Sequence, residues 1–390
     1  MTSRLLAQRI PALLARARAL LRLPGGPADT LSDPELAIAA RAVEALHHGL
    51  VGDRTLAQAA TYDERAHLGA YLLWWWPQTY AKTQAALTLT LSPLVRSRTA
   101  RVLDLGSGPG PGAIALLDAL EARGVRAEAV SLDASAGALS EAKALGGATL
   151  RTVQHDLSQG LPPLGQFDLV LMANALSGLP GDVEKKARLF DHIAQTSLAE
   201  QGALVILEPA LKETGRALLE VRDRVLAHHA LRAVAPCFTQ KPCPALEHPR
   251  DWCTVERTWD APPHVEQLAR KLGLHADRTL SFAPLILARE AAQEPPELAR
   301  VVGVPPEEKG KRRLFICNDA GRGPVALVTS HTSETNAAFH ELARGDIARL
   351  AGLVQKGDGL RVTRESLVTK LEQPQRHAAA GVVGPREGGR

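Results

Sequence analysis

Cys237, Cys243, Cys253 and Cys317 are the only cysteines in the chain, and all lie downstream of a glycine-rich turn over Val102–Gly112. Their spacing is Cys-x5-Cys-x9-Cys, followed by sixty-three residues before the last. Four thiolates make a complete ligand set for a metal centre, and in a reducing compartment clustered cysteines favour ligation over disulfides. Structural zinc sites usually open with a Cys-x2-4-Cys knuckle, and this chain has none. Three thiolates from one loop and a fourth from a remote segment suit a [4Fe-4S] cluster, whose cubane takes ligands from separated directions; zinc stands as the alternative. Pro236, Pro242 and Pro244 stiffen the loop, Trp252 is placed to shield the site, and His248 and His229 are the available substitute ligands. A group holding all four cysteines would staple a C-terminal unit onto the body of the protein.

The turn Gly106-Ser-Gly108-Pro-Gly110 follows an apolar stretch, Arg101–Leu105, and precedes a helix from about Gly112. Glycines there let the backbone turn tightly against a ligand at a helix N-terminus. Asp104 sits inside the strand, and Asp133 closes the next one, where an acid accepts the hydroxyls of a ribose. A dinucleotide turn reads Gly-x-Gly-x-x-Gly, whereas this one reads Asp-x-Gly-x-Gly-x-Gly. That form resembles motif I of the class I S-adenosylmethionine-dependent methyltransferases. The resemblance implies that Asp104 faces the methionine end of the cofactor, with Gly106, Gly108 and Gly110 making room for it. It places Asp133 at the ribose, Asp156 (after His155) at the adenine edge, and Asn174 where the fourth strand opens onto the reaction pocket. The stretch Asn174-Ala-Leu-Ser177 is not the Asn-Pro-Pro-Tyr of adenine amino methylation. It also lacks the cysteine nucleophile of cytosine C5 methylation, since Pro236-Cys237 lies in the wrong loop. Asn174, Ser177 and Glu208 do not single out a reaction.

The elements that must hold these residues can be read from hydrophobic period. Ala7–Leu21, Asp33–His48 and Asp63–Leu89 have helical spacing, the last containing Trp74, Trp75 and Trp76, of which one or two belong to a core and one to a domain contact or a stacked base. From Ala100, short apolar runs alternate with amphipathic helices: Arg101–Leu105, Ala127–Leu132, Thr149–Gln154, Phe167–Met172 and Ala203–Leu207. That alternation predicts an α/β, doubly wound, Rossmann-like sheet. After the cysteine loop come a helix near His264–Leu272 and a final strand at Ser281–Arg289. The predicted units are a helical N-terminal region (1–95), a class I methyltransferase domain (96–292) with a cysteine-rich insertion near 235–256, a small β-containing unit (297–372) with strands at Arg313–Cys317 and Val325–Thr329, and a mobile tail (373–390).

The chain has 390 residues, 45% of them hydrophobic, which is enough for a substantial core, and no run of eighteen apolar residues that would span a membrane. Met1–Leu23 carries five arginines and no acid. With arginine far above lysine, that composition points to a bacterial cytoplasmic protein, with the mitochondrial matrix as the alternative. The net charge of +4 is too small to announce nucleic acid. The run Lys309, Lys311, Arg312 and Arg313 is either a phosphate-binding patch or a solvated linker.

Trp76-Pro-Gln-Thr-Tyr80, Val102–Gly112, Ala235-Pro-Cys237, Pro242-Cys243-Pro, Asp251-Trp-Cys253 and Leu314-Phe-Ile-Cys317 together resemble the methyltransferase-like proteins of the mitochondrial small ribosomal subunit and their bacterial relatives. The resemblance implies S-adenosylmethionine at the glycine turn, a four-cysteine iron–sulfur site, and a role in small-subunit assembly in contact with ribosomal RNA. The family's helix motif Arg-x-Pro-Ala-x-Tyr is Trp75-Trp-Pro-Gln-Thr-Tyr80 here, which removes an arginine from any RNA contact. Three functions compete: a methyltransferase acting on ribosomal RNA, a non-catalytic assembly factor, and a small-molecule methyltransferase with structural zinc.

Overall fold

The computed structural model describes residues 4–52, 56, 62–90, 92–274, 279–291, 295–306 and 308–371. The tail after 371, and Glu294 of the expected Pro-Pro boundary, lie outside the described residues.

Three helices come first. In α1 (Arg4–Leu21), Leu6, Ile10, Leu13, Leu14 and Ala17 recur at helical spacing and form one buried stripe. In α2 (Asp33–His47), Glu35 accepts the Ser32 amide at the helix start and pairs with Arg18 of α1 at 2.6 Å. α3 (Arg65–Ala86) is apolar nearly all round, and thirteen of its residues are buried. Such a helix belongs at the centre of a packed body. α1 and α2 cover it on one side, and α4 (Pro111–Glu121), which follows the glycine turn, covers it on another.

The Rossmann-like sheet contains β1 (Thr99–Leu105), β2 (Arg126–Asp133), β3 (Leu150–Gln154), β4 (Phe167–Ala173) and β5 (Leu198–Pro209), all parallel. Next to β5 runs β8 (Thr279–Ala288), antiparallel, and the order is β3-β2-β1-β4-β5-β8-β6. Helices α5 (Ala136–Gly146), α6 (Val183–Thr196), α7 (Lys212–Ala227) and α8 (Pro263–Leu272) complete the layers. This is the class I methyltransferase fold expected from the sequence. The cysteine-rich segment departs from the expected plain loop. It starts at β6 (Arg232–Ala235) and ends at β7 (Val255–Thr258), both paired antiparallel with β8. Strands of four residues leave too short an alternation to be recognised in a sequence.

The C-terminal unit is a seven-stranded sheet, where the sequence predicts two strands. Its order is β13-β14-β11-β10-β9-β12-β15. β10 (Lys311–Asn318) and β11 (Gly321–Val328) are the predicted pair. β9 (Leu298–Gly303), β12 (Ile347–Ala351), β13 (Val354–Lys356), β14 (Gly359–Val362) and β15 (Leu367–Leu371) are not anticipated. Arg300 of β9 is buried and reaches three separate segments, donating to the carbonyls of Leu89, Pro236 and Gly345. No helix of the described residues is long and apolar enough to cross a membrane.

Two polar contacts lock α3 to the Rossmann-like body. The Trp76 indole donates to Pro109 O in the glycine turn at 3.1 Å, and the Tyr80 hydroxyl donates to Asp118 of α4 at 2.6 Å. Asp118 also pairs with Arg9 of α1. Asp118→Ala strands a buried hydroxyl and a partly buried guanidinium, so we expect a loss of about 2–3 kcal/mol, read as a lowered urea midpoint with unchanged slope.

Candidate functional site

β1 delivers Asp104 to the C-terminal edge of the sheet, where the chain turns through Gly106, Gly108 and Gly110, all at positive φ (66°, 52° and 77°). At Gly106 a side chain is doubly forbidden, because a Cβ would also stand 2.6 Å from that of Ala175. Asp104 Oδ2 accepts from Ala113 N at 2.9 Å, while Oδ1 is buried without a partner. Burial, assisted by the nearby charge of Asp133, pushes the Asp104 carboxyl up to about 7. Asp133, at the end of β2, accepts from Gly108 N at 2.8 Å and Ser135 N at 2.9 Å, and burial raises its pKa as well.

These acids line one cavity of about 560 Å³ together with Asp156 and Asn174. Asp156 is exposed and caps its own short turn by accepting from Ser158 N, which lowers its pKa. Asn174 adopts positive φ (58°), which asparagine tolerates, and its amide donates to Thr79 Oγ1 at 3.4 Å. Below it, Glu208 Oε1 accepts from Leu176 N and Ser177 N, and Oε2 is buried without a partner. Burial pushes this carboxyl up to about 7. The structure thus brings Asp104, Gly106, Gly108, Asp133, Asp156 and Asn174 to one cavity, whereas Gly110 caps α4 and does not line it.

The opposite wall is not anticipated by the sequence. α3 supplies Tyr71, Trp74, Trp75, Gln78, Thr79 and Lys82. The spacing 71, 74/75, 78, 82 was visible in the chain, but on a helix apolar all round it does not stand out. Trp74 and Trp76 are buried, whereas half-buried Trp75 stacks between Tyr71 (6.2 Å) and His47 (6.3 Å) along the cavity. Burial pushes Tyr71 up to about 12, and the charges of Asp104 and Asp133 add to it, which puts this ring close to both acids.

The turn has little left to offer an anion. Gly106 N and Ser107 N donate to Leu132 O, Gly108 N to Asp133, Gly110 N to Ser107 O and Ala113 N to Asp104. Pro109 and Pro111 have no N–H. A pyrophosphate needs such amides, whereas a nucleoside carrying an amino acid, with an ammonium and a ribose, needs acids. The donor set fits S-adenosylmethionine and not a dinucleotide.

Cys237 follows β6, Cys243 opens the 3-10 turn Pro244–Leu246, Cys253 precedes β7, and Cys317 lies in β10. All four are free thiols. Burial pushes Cys243 to about 12 and Cys253 to about 11 and raises Cys317; in each case the Cys237 sulfur adds to the rise. The four side chains are therefore electrostatic neighbours. Among the described residues, however, no three His, Cys, Asp or Glu side chains are grouped so as to hold a metal ion. Three of the thiols come from the segment between β6 and β7 and the fourth from β10 of the C-terminal sheet. The surroundings nonetheless fit an anionic group. Arg222 and Arg300 are buried beside the cysteines, and Arg300 is satisfied by backbone carbonyls alone. A metal–thiolate cluster is such a group. Trp252 packs against α7 at Gly215. The basic run is largely engaged within the protein: Lys311 and Arg313 pair with Glu308, and Arg312 donates to Leu342 O.

The fold and the donor set define a protein of the class I methyltransferase type. Residues 65–361 match the family described as "Mitochondrial small ribosomal subunit Rsm22", and the chain belongs to that family. A search of curated proteins returns no match. Among solved structures the chain is similar to a TehB-like SAM-dependent methyltransferase from Corynebacterium glutamicum, at 18% identity over 54% of this chain and 88% of that one, TM-score 0.32. A fibrillarin/Nop5p complex aligns at 15% identity over 54% and 83%, TM-score 0.32. A SAM-dependent methyltransferase from Mesorhizobium loti aligns at 26% identity over 28% and 46%, TM-score 0.23.

Asp104 and Glu208 give a pH prediction. Their folded-state values of about 7 lie above the ordinary 3.8 and 4.5, so the folded protein binds more protons than the unfolded chain between about pH 4 and 7. Stability of the ligand-free protein then falls as pH rises through that window, by several kcal/mol for the two groups together, at about 1.4 kcal/mol for each pKa unit. Asp104→Asn and Glu208→Gln each flatten the curve of urea midpoint against pH.

Proposed function

We propose that this protein binds S-adenosylmethionine in the cavity between α3 and the glycine turn and methylates RNA of the small ribosomal subunit, with a [4Fe-4S] cluster on Cys237, Cys243, Cys253 and Cys317. The observation that carries the cofactor reading is the unpartnered Asp104 oxygen buried in a cavity whose turn amides are already engaged. Membership of a small-ribosomal-subunit family supports the target. The arginine-rich composition supports a bacterial cytoplasmic member of that family.

When bound, the cofactor supplies an electrophilic methyl on a sulfonium. The chain's part is binding and orientation. Asp104 takes the ammonium of the methionine end, Asp133 the ribose hydroxyls, and Asp156 borders the adenine. Tyr71, Trp74 and Trp75 exclude water along the opposite wall. Asn174, Ser177 and Pro209–Leu211 border the opening where an acceptor atom approaches. Glu208, protonated near neutral pH, holds the Leu176–Ser177 turn in place. At the cysteines, buried Arg222 and Arg300 balance the negative charge of the cluster.

A second reading, the non-catalytic assembly factor, is favoured by one feature: Asn174 and Glu208 at the acceptor side are engaged by Thr79, Leu176 and Ser177. No observation favours the zinc-bearing small-molecule enzyme.

Protein purified without oxygen is incubated with labelled S-adenosylmethionine and small subunits from a strain lacking the gene. We expect label in ribosomal RNA; bound cofactor with no label selects the assembly factor. For the cluster, we expect the wild type to contain iron and acid-labile sulfide, and Cys317→Ser to lose most of both and to expose the C-terminal sheet to protease. Zinc without sulfide contradicts the cluster.

A further inference from the structure

Among the described residues Lys82 is the one lysine or arginine lining the cavity, whose lining also holds Asp104, Asp133 and Asp156. Its ammonium has no hydrogen-bond or ion-pair partner among the described residues. Burial alone pulls its pKa down to about 8, with no protein carboxylate close enough to raise it. A desolvated, unpaired ammonium is costly to a fold and is retained where a ligand supplies the counter-charge. Its place on α3 is set by the helix: it follows Thr79, which accepts from Asn174, by three residues, about 4.5 Å along the axis.

S-adenosylmethionine is a zwitterion at its amino-acid end, with an ammonium, a carboxylate and a neighbouring sulfonium. The acids provide for its ammonium and ribose. Its carboxylate needs a donor, and along the glycine turn only the Gly112 N–H is without a partner among the described residues. The amides of Gly106, Ser107, Gly108, Gly110 and Ala113 are bonded within the protein, and Pro109 and Pro111 have none. Tyr71, eleven residues before Lys82, lies by Asp104 and Asp133, so Lys82 stands beyond them on the Asn174 side of the cavity.

From these placements we infer that Lys82 binds the α-carboxylate of the cofactor, so that α3 recognises the methionine end from the wall opposite the glycine turn. The assignment rests on the cavity being an S-adenosylmethionine site, and it makes Lys82 a determinant of selectivity for cofactors that keep the amino-acid moiety.

The test is the affinity of wild-type, Lys82→Met and Lys82→Arg proteins for two probes, S-adenosylhomocysteine and 5′-methylthioadenosine, which keeps the nucleoside and thioether but lacks the amino acid. Lys82→Met should weaken S-adenosylhomocysteine by on the order of tenfold to a hundredfold, the worth of a charge-assisted hydrogen bond. Methylthioadenosine affinity should be unchanged, which also reports that the variant is folded, and Lys82→Arg should recover most of the loss. Equal weakening of both probes means that Lys82 only supports the cavity wall, and overturns the assignment. An unchanged S-adenosylhomocysteine affinity places Lys82 toward the acceptor, as a proton acceptor or a partner for substrate phosphate, and overturns it too. A wild type that binds neither probe overturns the cofactor reading itself.

Discussion

The docking of α3 onto the glycine turn is the constraint on which the rest of the structure depends. A helix buried nearly all round has no solvent face to orient it, so its polar contacts set its rotation. Trp76 on Pro109 O and Tyr80 on Asp118 provide them. With that rotation fixed, Trp76 and Tyr80 point into the core, while Tyr71, Trp75, Gln78 and Lys82 face the sheet edge across the cavity. The helical N-terminal region is therefore half of the binding site. A Rossmann-like sheet alone would present the same acids on an open edge, in higher dielectric and with ordinary pKa values.

Electrostatics then selects the ligand. The cavity gathers carboxyls whose burial raises their pKa, offers a single ammonium among the described residues, and has most of the turn's amides engaged within the protein. Phosphate-binding turns reverse each of these arrangements. At the cysteines the balance is inverted: four thiols lie beside the buried guanidiniums Arg222 and Arg300, and Arg300 ties the N-terminal region, the cysteine segment and the C-terminal sheet together through Leu89, Pro236 and Gly345. A negative group at the cysteines would stabilise that junction as well as itself.

Much of the fold was legible because parallel strands buried on both faces read as apolar runs, and β1, β2, β4 and β5 each contain such a run. Asp104, Asp133 and the glycines were legible because a turn at positive φ demands glycine. The α3 wall was not, since a helix apolar all round gives no face to its sequence; nor were β6, β7 and β12–β15, where three to five residues leave no period to detect. The cysteines were recognised as a set from the sequence, and they are electrostatic neighbours in the structure. The basic run was left open between a phosphate patch and a linker, and in the structure Lys311 and Arg313 pair with Glu308.

The central claim is that this cavity takes a nucleoside carrying a free amino acid and rejects a pyrophosphate. Calorimetric titration of the ligand-free protein with S-adenosylhomocysteine and, separately, with NAD tests it most directly. The account predicts one saturable site for S-adenosylhomocysteine and no heat of binding for NAD. Saturable binding of NAD at this cavity, or no binding of S-adenosylhomocysteine by folded protein, would contradict it.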